Sequence, residues 1–166
     1  MAREYIIPAS NITLANQAVT LIFLQAMTAA PVSALEMLRC WASQAANATS
    51  VQQRVQLNTQ VSTFPTLVSQ APQKTKAGDP VSLITGGTAG AAGTSGINAS
   101  AEGAGAKTVL LPDAFNVLNG WLWVATPADT FVETAQATAH GFGLHFPVAP
   151  LTLTNWNAGL TFRELG

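Results

Sequence analysis

The sequence predicts an all-β fold, a single β-sandwich or jelly-roll-like domain over 1–166, on three observations. The run from Val51 to Thr63 alternates between apolar and polar residues, other short runs are rich in strand formers, and Gly/Pro turn signals separate them. In VQQRVQLNTQVST, Val51, Val55, Leu57 and Val61 occupy odd positions, while Gln52, Arg54, Gln56, Asn58, Gln60 and Ser62 fill the even ones. A strand sets such rows on opposite faces, one on a core and one in water, whereas a helix would scatter the apolar residues around its circumference. Pro65 then ends regular pairing.

The remaining runs follow in order. EYIIPA reads as a first strand, and Val19–Ala26 (VTLIFLQA) is rich in strand formers. The stretch Leu35–Ser43 reads as a strand with Leu35, Met37 and Trp41 on one face, although LEMLRCWA also suits a helix; its neighbours favour the strand. The segment Val117–Thr126 is apolar on both faces, with Val117, Trp121 and Trp123 on one and Leu118, Leu122 and Val124 on the other. That pattern predicts a central strand buried on two sides. Phe142, Leu144 and Phe146 alternate with Gly143 and His145, and Leu160–Leu165 closes the chain as a short last strand. Ala30-Pro31, Gly78-Asp79-Pro80, Thr126-Pro127-Ala128-Asp129 and the stretch from Pro147 to Pro150 mark turns.

Charge is scarce. Asp, Glu, Lys and Arg make up 9% of the chain, far below the roughly 25% of an ordinary soluble domain. A freely diffusing monomer carries a denser charged surface for solubility, so a surface this neutral predicts cover by other subunits. The net charge of −1, with no basic run, lacks the footprint of a nucleic-acid binder. The apolar stretch Ala18–Ala26 is too short to span a bilayer, and Glu4 stands where a signal peptide wants positive charge. Asn-x-Ser/Thr triplets at Asn11, Asn47 and Asn98 are explained by composition. The lone Cys40 forms no internal disulfide and reads as a small buried apolar residue.

Seven of the 13 glycines lie between Gly86 and Gly105, in GGTAGAAGTSGINASAEGAGAKT, so a phosphate loop has to be considered. The pattern G-x-x-x-x-G-K-[ST] fails, because Ala106 precedes Lys107 and Pro112 falls where a helix should continue. Two readings remain for residues 86–107: a flexible loop, or an extended arm that orders against a neighbouring subunit. The scarcity of charge favours the arm.

Chemistry-bearing residues are sparse. His140 and His145 are the only histidines, and with one cysteine they predict no metal site and no cofactor. A Ser-His-Asp triad, whose members converge only in space, stays open, but no G-x-S-x-G elbow is present. Asp113 and Asp129 read as turn residues. Trp121, Trp123 and Trp156 read as core for one of the first two and subunit interface for the others, or alternatively as a sugar-binding platform.

The stretches GGTAGAAGTSGINASAEGAGAKT, DAFNVLNGWLWVATP, FGLHFPVAP and GLTFREL resemble small virion proteins of tailed bacteriophages, nearest to the head decoration, or cement, proteins. The likeness covers roughly the last half of the chain and, more weakly, EYIIPA. It implies a compact non-enzymatic β-domain, made in the host cytoplasm, that binds the major capsid protein on the outer shell as a trimer or dimer, without nucleic acid or membrane. A tail or head-fibre component and a carbohydrate-binding sandwich are the alternatives. The intersubunit contacts expected are Gly87, Gly90, Gly93, Gly96, Ile97 and Lys107 from the glycine segment, with Trp121, Trp123 and Trp156, and Tyr5, Ile7 and Phe162 from the terminal strands.

Overall fold

In a computed structural model of the chain the described residues are 3–28, 34–46, 49–88, 92–135 and 138–166; Gly90, the Ala30-Pro31 turn and Asn47 lie outside them. Among the described residues the regular structure is all strand: β1 (Arg3–Ile12), β2 (Val19–Gln25), β3 (Ala34–Gln44), β4 (Gln52–Val61), β5 (Thr66–Ser69), β6 (Gln73–Lys74), β7 (Thr85–Gly86), β8 (Thr94–Ala101), β9 (Lys107–Asn116), β10 (Trp121–Val124), β11 (Phe131–Thr134), β12 (His140–Phe146) and β13 (Trp156–Leu165). They form two antiparallel sheets packed face to face. One, the β13 sheet, runs β10, β3, β13, β1, β6, with β11 also on β3. The other, the β12 sheet, runs β5, β8, β2, β12, β4, β9, with β7 parallel to β8.

The core lies between the sheets. Tyr5, Ile7, Met37, Leu160 and Phe162 from one side meet Ile22, Leu24, Leu57, Phe142 and Leu144 from the other, all essentially without exposure. Trp156 ties the layers together: its ring stands edge-on to Phe146 at 4.9 Å and to Phe115 at 6.4 Å. Its indole N–H donates to the Thr152 carbonyl at 2.7 Å. An interior Trp needs such a partner to avoid an unsatisfied donor.

The expected strands are present, with five corrections. β3 is a strand, but Leu38 is an extra residue opposite the Thr161/Phe162 step, so Trp41 leaves the core face that it was expected to share with Leu35 and Met37. A bulge of this kind advances the side-chain phase by one, which sends Cys40 and Ala42 inward instead. The Val117–Thr126 run is not a central strand. β10 is an edge strand on β3, reached through a turn with Gly120 at φ +71°, and Leu118, Leu122 and Val124 stay exposed. β13 is longer than expected and central, paired on both sides. Asp113 lies within β9 and not in a turn.

The last correction concerns the glycine segment. Residues 94–101 form β8, hydrogen-bonded within this chain to β2 and β5, so they are not an extended loop. Residues 102–106 then cross the outer face of the β12 sheet as a strap. There Gln60 donates to the carbonyls of Thr63 (2.7 Å) and Gly103 (3.2 Å). Gln60, expected in water, is buried under this cover, and Asn58 of the same row is buried as well. Gly103 and Gly105 permit the contact, since a Cβ on either would overlap backbone carbonyl oxygens of residues 61–64. Gly105→Ala is therefore expected to cost about 1–3 kcal/mol through overpacking. An unchanged urea midpoint would show that the strap does not seat so closely.

Candidate functional site

The outer face of the β13 sheet follows from the β3 bulge. Past Leu38, Arg39 and Trp41 point outward. Trp41 is paired with Gly159 of β13, where a Cβ would overlap the indole, so the ring lies down on the sheet. The register aligns Leu122, Trp41, Gly159 and Pro8 across four strands. The next row is Val124, Arg39, Thr161 and Ile6, and beyond it lie Glu36, Arg163 and Glu4, with Val132 opposite Glu36. Leu122 is 62% exposed and Val124 53% exposed; Trp41, Ile6 and Pro8 are half-buried. Arg163 and Glu36 form an ion pair at 2.8 Å. Arg39 and Glu4 have no ion-pair partner among the described residues. The result is a mixed face: an apolar centre with a flat aromatic, one satisfied pair, and one free charge of each sign.

The expected contact residues lie elsewhere. Tyr5, Ile7, Phe162 and Trp156 are in the core, and the Tyr5 hydroxyl donates to the Pro80 carbonyl at 3.2 Å. Their side chains present no surface for a partner. Trp121 is buried, with its N–H donating to Asp113 at 2.8 Å. Trp123 is half-buried and stacked on Phe131 at 5.2 Å. The sugar platform read from Trp121, Trp123 and Trp156 is thus not assembled. Gly87, Gly93 and Gly96 serve close contacts inside the chain, with Thr94, Met27 and Leu67 respectively. Ile97 is buried opposite Ile22 and Val68. Lys107 opens a strand, not a helix, and its ammonium pairs with Glu102 at 2.5 Å. The sequence reading missed Trp41, Arg39 and Leu122 as surface groups. One signal was legible: unbroken alternation from Leu35 and Met37 would drive Arg39 into the core, at a prohibitive desolvation cost. A phase shift before Arg39 is required.

The strap holds a second polar cluster. The Thr20 N–H donates to Glu102 Oε1 at 2.5 Å and the Thr20 hydroxyl to Glu102 Oε2 at 2.8 Å. His145 Nδ1 sits 3.3 Å from Thr20 Oγ1 and 3.6 Å from Glu102 Oε2. Burial, helped by Lys107, pulls the His145 pKa down to about 4. Burial alone would raise Glu102, but hydrogen bonds from Lys107 and Thr20 outweigh it and hold the carboxyl below its usual range. A nucleophile–base–acid relay sets hydroxyl and carboxylate on opposite imidazole nitrogens. Here both approach Nδ1, and Thr20 is 1% exposed, so these groups fasten the strap and form no such relay.

Among the described residues no three His, Cys, Asp or Glu side chains converge as metal ligands. Burial pushes the Cys40 thiol far up, away from the reactive thiolate. No protein-family model matches the chain, and no curated protein or solved structure is significantly similar to it.

Proposed function

We propose that this protein is a non-enzymatic virion structural protein that binds and stabilises a bacteriophage capsid, as a decoration or cement protein acting as a homo-oligomer. The observation that carries the reading is the outer face of the β13 sheet. Leu122 and Val124 stand exposed beside Trp41, and Val132 further along the same face, on a chain with very few charges. Such a face is costly to leave in water and gains free energy when a partner covers it. The rigid two-sheet domain also suits a mechanical role, in which many symmetric copies bridge neighbouring shell subunits against internal pressure. The resemblance of GGTAGAAGTSGINASAEGAGAKT and the segments after it to phage head proteins points the same way.

Co-sedimentation with capsids lacking decoration tests the proposal. Saturable binding across the shell, with a raised capsid melting temperature, is the expected result. Labelling confined to the tail or a vertex would replace it with the tail or head-fibre reading, and no binding to particles would end it. One observation favours a carbohydrate-binding module as the second reading: the Trp41 ring lies flat on Gly159, as a stacking platform for a sugar would. Saturable tryptophan-fluorescence changes with glycans, abolished by Trp41→Ala in a folded protein, would establish it.

A further inference from the structure

We infer that two copies of this chain associate through the outer faces of their β13 sheets, with Arg39 of each copy paired to Glu4 of the other. The inference rests on the homo-oligomer part of the proposal above and names its surface.

The charges of this face are complementary to those of a second copy. The face carries Glu4, Glu36, Arg39 and Arg163, two charges of each sign. Glu36 and Arg163 satisfy one another. Arg39 on β3 and Glu4 on β1 are held apart by β13, and neither has an ion-pair partner among the described residues. A partner of a single charge sign would satisfy one of them and repel the other. A second copy of the same face offers both. In a two-fold contact every residue pair occurs twice, so one Arg39–Glu4 match becomes two, one on each side of the axis.

Beside these charges, in the row before Arg39, lie Leu122, Trp41 and Pro8, and Ile6 shares the row of Arg39. Aromatic and aliphatic groups next to the charges help to exclude water from such a contact. The guanidinium also supplies the planar donor fork that suits a carboxylate across an interface.

Light scattering coupled to size-exclusion chromatography and sedimentation equilibrium of the full chain test the inference. The wild type is expected to be a dimer. Arg39→Glu and Glu4→Arg are each expected to weaken it by about tenfold or more, through lost and repulsive pairs. The double variant Arg39→Glu/Glu4→Arg is expected to restore the wild-type dissociation constant, because the swap re-creates the match. Both residues are on the surface, so an unchanged thermal melt separates loss of association from loss of fold. A wild-type monomer, a trimer, a dimer indifferent to Arg39→Glu, or a double variant weaker than either single one would each overturn the inference. A dimer that obeys the swap but binds no capsid would overturn the capsid proposal alone. A monomer that still coats capsids would overturn this inference and leave capsid binding standing.

Discussion

Trp156→Ala is expected to lower the stability of the fold by about 3–5 kcal/mol, the range for deleting a large buried aromatic. Trp156 is 1% exposed and is the largest fully buried side chain. It begins β13, the central strand of its sheet, yet its ring reaches Phe146 and Phe115 of the opposite sheet. Truncation leaves a cavity between the layers and strips the Thr152 carbonyl of its indole donor. Against a total stability of roughly 5–15 kcal/mol, that loss is enough to unfold a marginal domain. Trp156→Phe keeps a ring against Phe146 and loses mainly the hydrogen bond and some volume, so its cost should be smaller. Urea titrations followed by circular dichroism would measure both. A loss under about 1 kcal/mol for the alanine variant would mean that the two sheets do not depend on this contact.

Acid should weaken the protein well before ordinary carboxylates titrate. His145 has its pKa held near 4 in the fold and about 6.5 when unfolded. Its neutral form is the one the fold accepts, so its contribution is fully present above pH 6.5. That contribution is lost progressively as pH falls from 6.5 toward 4, because the unfolded chain takes up the proton first. At about 1.4 kcal/mol per pH decade, the loss comes to about 3 kcal/mol at most. Glu102, whose carboxyl is held low by Lys107 and Thr20, adds a further loss below its usual range, as protonation removes the acceptor that fastens the strap. Glu133 acts in the opposite sense: burial raises its pKa despite the opposing pull of His140, so protonation in acid relieves a cost of the fold. Urea midpoints at pH 7, 5.5 and 4.5 should fall in the wild type. His145→Gln, which cannot take up that proton, should flatten the decline between 6.5 and 4. Parallel curves for the two proteins would remove His145 as the cause.

Much of this architecture is legible in the residues. The alternation of β4 and β12, the strand character of β2 and the glycine and proline punctuation all report local geometry, since side chains alternate at every second residue wherever a strand is half-buried. Where the pattern misled, a distant element had intervened. Gln60 looks like part of a wet row, and its cover comes from Gly103 and its neighbours, more than forty positions away. Leu122 and Val124 look like one face of a buried strand, and they are exposed because β10 sits at a sheet edge with nothing among the described residues packed above it.

The candidate face shows the same division. Arg39 could not enter a core, so its residue type already required a break in the alternation of β3. The position of that break, at Leu38, was set by pairing with β13 and could not be read from β3 alone. Trp41 lies flat because the residue opposite it, more than a hundred positions later, is Gly159. Class, period and the poverty of charge are properties of neighbouring residues and of composition, and the chain states them directly. Sheet order, the phase of a bulged strand and the cover over a polar row depend on which segments meet in space. Those meetings are selected by the burial of the whole chain at once, so no local stretch contains them.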